Sequence, residues 1–303
     1  MVYITNIFVK GKRYYVLAHN IRVGTKIKRV VKYIGKNLPS KQKLDTITAE
    51  FESEIKILEE PELLSEKQKE IIEKIRKNYQ TYLKKISKND IERLEANVLT
   101  NFTYNTNAIE GSKLTVSDVM SVFEGATPES KPLRDIYGAK NMREAYNYIR
   151  NLRKLSQKEL LELHKIVMRD ILTMDLGEYR TVQVFIGQHK PPSVSQVARL
   201  MKNLFGWYRI AGKKLHPFEL ACKLHVKFET IHPFRDGNGR VGRLIMNYPL
   251  LKSGYPLLDI KFSDKPKYYA ALEKIQLNKT DFKSFIDFAF NTYVKIAKHY
   301  EWL

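Results

Sequence analysis

The sequence predicts a mainly α-helical protein that carries a small β-rich segment at one end. In residues 1–36, apolar and polar residues partly alternate and Gly11 marks a turn, a pattern typical of β-strands. From residue 37 onward, apolar residues recur at the spacing of amphipathic helices. We therefore expect a small basic β module at 1–36, N-terminal helices and a linker at 37–100, and one helical domain with C-terminal helices at 101–303.

Capping signals predict where several helices begin. A Ser or Thr followed three residues later by Glu, Gln or Asp resembles a capping box. Such pairs occur at Ser65/Gln68, Thr115/Asp118 and Ser156/Glu159. Asp90 is a further candidate N-cap. Together with helical periodicity, these signals predict helices at 65–86, 90–109, 133–152, 194–211, 217–231, 239–252, 265–276 and 281–300, and shorter ones that begin near 115 and 156.

Residues 177–192, GEYRTVQVFIGQHKPP, interrupt the helical pattern. The stretch has β-branched residues around Gly187 and ends in two prolines, which favours a β-hairpin between helices. The exposed edge of such a hairpin can bind an extended segment of another protein by strand addition. We expect this flap to hold a target protein through backbone hydrogen bonds.

Composition excludes several classes of protein. The chain has 303 residues, of which 43% are apolar, enough for a sizeable core. Its one cysteine, Cys222, excludes an internal disulfide and a cysteine-rich zinc site. The sequence has neither an apolar run that could span a bilayer nor a signal-peptide pattern at its start. We expect a cytoplasmic protein with no membrane partner.

Positive charge is concentrated near the N-terminus. The net charge is +20, and residues 1–44 contain eleven Lys or Arg and no Asp or Glu. The tyrosines interleaved with these cations are Tyr3, Tyr14, Tyr15 and Tyr33. Cations and aromatic rings in this arrangement suit a nucleic-acid partner for residues 1–36. A basic cap on the helices or a homodimer contact fits the same residues. A soluble protein rich in surface lysines explains the net charge of +20 equally well.

The stretch HPFRDGNGRVGR, residues 232–243, concentrates the chemistry of the chain. It lies between two predicted helices and ends at the N-terminus of the second. Free backbone N–H groups and the helix dipole make such a place an anion site. Gly237 and Gly239 allow the backbone to approach a phosphate closely, and Asn238 can add a side-chain donor.

Four other side chains of this loop complete a site for a nucleotide. Arg240 and Arg243 can bind further phosphate oxygens. Asp236 is a hard oxygen ligand for Mg²⁺ that bridges phosphates, and His232 is of the residue type best suited to act as a general base. Together they favour phosphoryl or nucleotidyl transfer over a glycine-rich turn with a structural histidine. A nucleotide sensor without turnover is the weaker alternative, because His232 and Asp236 are both intact.

The segment HPFRDGNGR resembles the motif HxFx(D/E)GNGR of the Fic-domain family, and Arg243 matches the second arginine of that family. The resemblance extends over roughly residues 102–288 and includes the stretch 177–192. It implies the all-α Fic fold, with the hairpin as a flap that docks a target. It also implies transfer of AMP from Mg·ATP to a Ser, Thr or Tyr hydroxyl of a protein, which can be the chain itself.

The resemblance also implies a role for each site residue. His232 would be the general base and Asp236 the Mg²⁺ ligand. The residues that would bind the nucleotide are Ile186, Gly187, Gln188, His189, Gly237, Asn238, Gly239, Arg240, Arg243 and Tyr268. Relatives that transfer other groups carry Lys at the position of Gly239 or Ala at that of Gly237, so AMP is the group expected here.

A second motif, TNAIEG, resembles the family's inhibitory motif (S/T)xxxE(G/N) at Thr106, Glu110 and Gly111. The resemblance implies that Glu110 can pair with Arg243 in place of the γ-phosphate, so that ATP binds in an unproductive pose. We therefore expect a self-inhibited adenylyltransferase. In some relatives the same glutamate supports removal of AMP from the target, and this alternative stays open. The plainer interpretation is that Thr106 and Glu110 share a solvated helix face.

The remaining histidines carry weaker signals. His216 and His225 lie on the helix before the loop and are expected to be structural, because neither has zinc-ligand neighbours. His19, His164 and His299 show no constellation of functional residues.

Overall fold

Three antiparallel strands, eleven α-helices and one short 3₁₀ helix (Phe262–Asp264) form the regular structure of the described residues in the computed structural model, which covers residues 1–23, 26–187, 189–277 and 281–303. The mainly α-helical class predicted from the sequence is confirmed. The chain divides into two compact units, which are Met1–Glu62 with Gly206–Leu215 and Leu63–Phe205 with His216–Leu303. The domain boundaries near residues 36 and 100 stay a prediction.

The first unit is built on a small sheet. Its strands pair in the order β1-β2-β3 and are β1 (Tyr3–Val9), β2 (Lys12–Val23) and β3 (Lys26–Gly35). Side chains alternate between the two faces of a strand, and α1 (Lys41–Glu59) covers one face of this sheet. The buried apolar residues of that contact include Leu17, Ile21, Phe51, Ile55 and Leu58.

Helices make up most of the remaining chain. They are α2 (Glu66–Lys85), α3 (Lys88–Ile109), α4 (Val116–Phe123), α5 (Leu133–Asn151), α6 (Gln157–Met168), α7 (Val194–Ala211), α8 (Pro217–Ile231), α9 (Asn238–Lys252), α10 (Lys265–Leu277) and α11 (Phe282–His299). One large apolar cluster joins α2, α8, α9, α10 and α11 through Ile72, Phe218, Met246, Leu272 and Phe285. No helix among the described residues combines the length and apolar character needed to cross a membrane.

The helix α3 begins earlier than predicted. The Ser87 hydroxyl accepts a hydrogen bond from the backbone N–H of Asp90 at 3.2 Å, so Ser87 is the N-cap. The prediction of Asp90 as the N-cap is wrong. Asp90 lies in the first turn instead, where its charge interacts favourably with the helix dipole. Of the three predicted capping boxes, those at Ser65 and Thr115 are formed, whereas the one at Ser156 is wrong, because the Ser156 side chain accepts no cap hydrogen bond.

Residues 177–192 contain less β structure than the predicted hairpin. Among the described residues of this stretch, one antiparallel bridge joins Ile186 to His189. Gly187 has a φ of 53°, in the left-handed region that favours glycine. Gln188 lies outside the described residues. The flap therefore turns where it was predicted to turn, without a continuous ladder.

Two side chains take the place of the ladder in this flap. Arg180 donates to the carbonyl of Pro192, and Gln183 donates to the carbonyl of Pro191 at 3.1 Å. Proline has no N–H, so neither Pro191 nor Pro192 can donate a ladder hydrogen bond. Side-chain donors satisfy these carbonyls, which explains why the regular hairpin is absent here.

Candidate active site

The junction between α8 and α9 brings a histidine close to a helix N-terminus. His232 ends α8 in a left-handed conformation with φ 49°, and its N–H bonds to the carbonyl of Phe228 at 2.9 Å. Gly237 precedes α9 with φ 83°, and a Cβ there would lie 2.6 Å from Sδ of Met168. Position 237 thus requires glycine for two reasons, its backbone conformation and the close approach of Met168.

The loop opens onto a cavity of about 470 Å³, within the roughly 300–1,000 Å³ common for small-ligand sites. The sequence-predicted residues that line the cavity are Glu110, Ile186, Gly187, His189, His232, Gly239, Arg243 and Tyr268. The structure thus brings residues from α3, the flap, the loop and α10 to one place.

Arg243 is buried at the cavity wall, with 1% of its side chain exposed. Its Nη2 donates to Oε1 of Glu110 at 2.7 Å and to the carbonyl of Thr106 at 3.0 Å, and its Nε donates to the Thr106 hydroxyl at 2.7 Å. Burial alone would lower the pKa of Arg243, but the Glu110 carboxylate raises it above its ordinary value. Thr106 and Glu110, the two polar residues of the TNAIEG motif that were singled out from the sequence, therefore both bind Arg243.

Gly239 lies directly against the Glu110 carboxylate. A Cβ at Gly239 would be 2.1 Å from Oε1 of Glu110 and 3.0 Å from Nη1 of Arg243. Glu110 follows the last residue of α3, and the chain then turns at Gly111 with φ 96°. The end of α3 thus delivers a carboxylate to the first turn of α9, where backbone N–H groups lack helical partners.

Asn238 is committed to the loop itself. Its Oδ1 accepts from the N–H of Phe234 at 2.9 Å, and its Nδ2 donates to the carbonyl of the same residue at 2.8 Å. The side-chain donor expected for a phosphate is therefore already used. The backbone N–H of Asn238, at the start of α9, is the group that can face an anion.

Arg240 is a buried cation with a free donor. Its Nη2 contacts Sδ of Met168 at 3.2 Å, and its Nε has no hydrogen-bond partner among the described residues. Burial lowers the pKa of Arg240 from its ordinary value, but a guanidinium keeps its charge in proteins. An unsatisfied buried N–H group of a cation is an available donor for a ligand anion.

Asp236, the predicted Mg²⁺ ligand, is half-exposed. Its Oδ1 accepts from the N–H of Gly237 at 2.6 Å, and its Oδ2 accepts from Nη2 of Arg134 at 2.7 Å. Among the described residues, no group of three or more His, Cys, Asp or Glu side chains could hold a metal ion. One carboxylate still fits Mg²⁺, which proteins bind through one or two carboxylates together with substrate phosphates.

Glu229 is a buried carboxylate next to His232. Its Oε2 lies 3.5 Å from Nδ1 of His232. Burial would raise the pKa of Glu229, but His232 and His225 together hold that pKa below its ordinary value. Glu229 is therefore ionised at neutral pH. Because Nδ1 of His232 faces this anion, Nε2 is the ring nitrogen left to take a proton from a substrate.

His164 contacts the backbone of the loop, although the sequence indicated no role for it. Its Nδ1 accepts from the N–H of Gly177 at 3.0 Å, and its Nε2 lies 3.0 Å from the carbonyl of Asp236. The ring stacks on Phe234 with centroids 3.8 Å apart. An acceptor at Nδ1 leaves the proton on Nε2, so the ring is neutral. Burial lowers the pKa of His164 to about 4.

Arg180 connects the flap to the loop. Its Nε donates to the carbonyl of His232 at 2.9 Å, and its backbone N–H donates to the carbonyl of Pro233 at 2.9 Å. His189 of the flap makes a second connection, with Nε2 3.2 Å from the carbonyl of Thr230. The flap is thus held to backbone carbonyls on both sides of position 232.

Tyr268 packs against Arg243 at the back of the cavity. The guanidinium carbon lies 5.8 Å from the ring centroid, and the Tyr268 hydroxyl lies 2.9 Å from Nε2 of His225. Burial raises the pKa of Tyr268, so its hydroxyl keeps its proton. His216 accepts from the N–H of Phe218 at 3.2 Å and caps α8. Both His216 and His225 are therefore placed in supporting positions, as expected from the sequence.

Sequence reasoning missed Arg134, His164, Arg180 and Glu229 at this site. Glu229 had a weak signal, since a residue three positions before His232 lies on the same helix face. The others lie 52 to 102 residues from their loop partners along the chain. No spacing in the sequence connects residues that far apart.

The fold and the site define a helical domain with a glycine-rich loop beside a cavity, and comparison with known proteins shows what this domain is similar to. Residues 154–250 match the model of the Fic/DOC family. A protein adenylyltransferase Fic from Nematostella vectensis is 33% identical over 193 residues, which cover 61% of this chain and 44% of that protein. Its counterpart from Drosophila ananassae is 32% identical over 205 residues, which cover 66% and 41%. The chain spans less than half the length of these curated relatives.

A solved structure agrees with these matches. A Fic domain containing signaling protein from Bacteroides thetaiotaomicron superimposes with a TM-score of 0.69 at 26% identity, covering 75% of this chain and 95% of that chain. This chain therefore contains a Fic domain, and the resemblance recognised in the loop motif is confirmed.

We predict that His164 makes stability depend on pH. Its pKa is about 4 in the folded chain and near 6.5 when unfolded, so its stabilising contribution is complete above pH 6.5 and is lost as pH falls toward 4. The full effect is roughly 3 kcal/mol. In urea titrations between pH 7 and 4.5, His164→Gln should lose stability less steeply than the wild type. The exposed control His299→Gln should follow the wild type; parallel curves for all three proteins would contradict the prediction.

Proposed function

We propose that this protein transfers AMP from ATP to a Ser, Thr or Tyr hydroxyl of a protein, either a separate target or the chain itself. The observation that carries the proposal is the junction of α8 and α9. There, His232 and the N-terminus of α9 line one cavity together with the buried cation Arg243. The names of the curated relatives, protein adenylyltransferases, support the same reaction.

The proposed reaction is a nucleotidyl transfer. The target hydroxyl oxygen attacks the α-phosphorus of ATP, the bond from that phosphorus to the β-phosphate bridging oxygen breaks, and pyrophosphate leaves. Nε2 of His232 takes the hydroxyl proton, since Nδ1 faces Glu229. Backbone N–H groups at the start of α9 and the guanidinium groups of Arg240 and Arg243 would hold the phosphates.

Asp236 would hold Mg²⁺ beside the phosphates. When bound, the ion neutralises part of the phosphate charge. Arg134 occupies Oδ2 of Asp236 and must leave before a cation can bind there. Because the two side chains are 63% and 41% exposed, their ion pair is worth at most about 1 kcal/mol and exchanges readily.

Glu110 would keep the site inactive. Arg243 can pair with the Glu110 carboxylate or with a γ-phosphate, and in the observed geometry Glu110 holds Nη2 at 2.7 Å. The carboxylate also covers Gly239 at the start of α9. A triphosphate that enters while Glu110 is in place must therefore take another pose, with its α-phosphorus away from His232.

The flap at 177–192 would dock the target segment. Its link through Arg180 to the carbonyl of His232 fixes the flap relative to the proposed base. A hydroxyl on a segment held there would lie near Nε2 of His232. For residues 1–36, a nucleic-acid partner and a homodimer contact stay alternative predictions.

Removal of AMP is a second candidate function of the same site. Glu110 lines the cavity and is partly exposed, so its carboxylate can also orient a water molecule toward a bound AMP. If this reaction dominates, the wild type should release AMP from AMP-modified proteins, and Glu110→Gln should not. Failure of the wild type to release AMP from a panel of such proteins would exclude this function for the panel.

We predict that Glu110→Gly raises AMP transfer by about 10- to 100-fold. This range corresponds to the roughly 1.5–3 kcal/mol of a hydrogen bond to a charged group. The measurement is intact mass spectrometry of the protein after incubation with Mg²⁺ and ATP, with transfer seen as an added AMP. The exposed Glu129→Gly serves as the matched control and should behave like the wild type.

The same experiment includes His232→Ala in the Glu110→Gly background, which should abolish the added AMP. An added phosphate in place of AMP would contradict the proposed reaction. An unchanged rate in Glu110→Gly would exclude inhibition by Glu110, whereas transfer that persists without His232 would exclude its role as the base.

We predict that Glu229→Gln, also in the Glu110→Gly background, slows AMP transfer by roughly 10- to 100-fold, within the few kcal/mol of a close charge contact. The reason is that the neutral amide no longer presents an anion to Nδ1 of His232. The rate is measured by intact mass spectrometry, and the surface control Glu162→Gln should transfer AMP at the rate of the parent. An unchanged rate in Glu229→Gln would contradict the role given to Glu229.

A further inference from the structure

The two faces of the β1–β3 sheet differ in what they contact. Leu17 and Ile21 pack against Phe51 and Ile55 of α1, and the face that carries them is here called the inner face. Successive side chains of a strand point to opposite faces, so Val16 and its same-face neighbours lie on the other side, here called the outer face. The strand register places on this face the three tyrosines and three cations Tyr3, Tyr14, Tyr33, Lys12, Arg22 and Arg29.

Among the described residues, Lys32 is the cation of the sheet that pairs with acidic residues, and it lies on the inner face. On the inner face, Lys32 pairs with Glu50 and Glu54 of α1, each at 3.0 Å. The three outer-face cations form no ion pair within the described residues, and no outer-face position of β1, β2 or β3 is Asp or Glu. The acidic residues of α1 therefore pair with one inner-face cation and with none of the outer-face cations, although Arg13 and Lys28 of the inner face form no ion pair within the described residues either.

The aromatic rings of the outer face are accessible. Tyr14 and Tyr33 lie with ring centroids 5.1 Å apart, and the Arg29 guanidinium lies 5.9 Å from the ring centroid of Tyr3. Tyr33 is 54% exposed, and Ile27 at the edge of the same face is 76% exposed. The face thus presents flat apolar rings next to cations.

This combination selects a partner with both flat rings and negative charge. Base–aromatic stacking and cation–phosphate contacts are the two interactions by which sheets hold single strands. A duplex would expose its phosphates but keep its base faces stacked, so it could use the cations alone. An acidic protein could pack apolar side chains on the rings, but it has no repeating unit that joins a flat ring to an anion as a nucleotide does.

We propose that the outer face of the β1–β3 sheet binds single-stranded nucleic acid, with bases stacked on Tyr3 and Tyr33 and phosphates held by Arg22 and Arg29. This binding is independent of the AMP transfer proposed for the second unit. It commits to one of the three alternatives that the basic N-terminal sequence leaves open, which are a nucleic-acid partner, a basic cap on the helices and a homodimer contact.

The test measures binding of the full-length chain to fluorescein-labelled (dT)15 and (rU)15 by fluorescence anisotropy. Tyr33→Leu should weaken binding by about 5- to 100-fold, since stacking of one base on an aromatic ring is worth about 1–3 kcal/mol. Tyr33→Phe keeps the ring and should bind like the wild type. Tyr82→Leu is the matched control, because Tyr82 of α2 is 42% exposed and lies off the sheet.

Salt dependence tests the phosphate contacts separately. Removing one contact from a single strand should reduce the slope of log K against log salt by about 0.7. Arg29→Ala should show this reduction, and Arg93→Ala, an exposed arginine of α3, should not. His232→Ala should bind both oligonucleotides unchanged, which separates this site from the catalytic one.

Three results would overturn the proposal. One is the absence of binding to either oligonucleotide at low salt. Another is equal affinity of Tyr33→Leu and Tyr82→Leu, which would mean that charge alone attracts the strand. The third is a wild-type dimer that Tyr33→Leu converts to a monomer, because the outer face would then be a contact between copies of the chain.

Discussion

The buried guanidinium of Arg243 imposes the constraint around which the site is arranged. A cation removed from water needs a bonded anion, because an unpaired buried charge costs several kcal/mol. Thr106 and Glu110 meet this need from the end of α3. The C-terminus of α3 is thereby tied to α9, and Glu110 is drawn over Gly239. Any ligand anion that approaches the first turn of α9 has to compete with a carboxylate that belongs to the fold.

The loop is held mainly by contacts to its backbone. His164, a neutral ring, bonds to the carbonyl of Asp236, and Asn238 closes the loop through the backbone of Phe234. Arg180 bonds to the carbonyl of His232 and not to its ring. Because these supports use backbone groups, they do not themselves occupy the Asp236 carboxylate or the His232 imidazole. Rigid backbone and available side chains are what preorganised catalysis requires.

The features that were predicted best from the sequence are those that depend on residues close together along the chain. The helix α8 runs over Pro217–Ile231 as predicted, because a proline fits the first helical position and the loop motif ends the helix. The loop itself could be recognised because its glycines, cations and histidine are adjacent. Arg134 and Arg180 could not be found in this way, since they reach the loop from distant segments. The flap differed from a regular hairpin for the same reason: the side chains of Arg180 and Gln183 satisfy its carbonyls in place of strand partners.

Both charged ends of the proposed nucleotide site are occupied by side chains of the chain itself. Glu110 gives Arg243 an anion, and Arg134 gives Asp236 a cation. Mg·ATP carries the same two charges in one ligand, a phosphate for Arg243 and a metal ion for Asp236. The two internal contacts differ in strength, because the first involves a buried guanidinium and the second is largely exposed. The exchange at Asp236 should therefore be easy and the exchange at Arg243 difficult, so the proposed inhibition resides in Glu110 and not in Arg134.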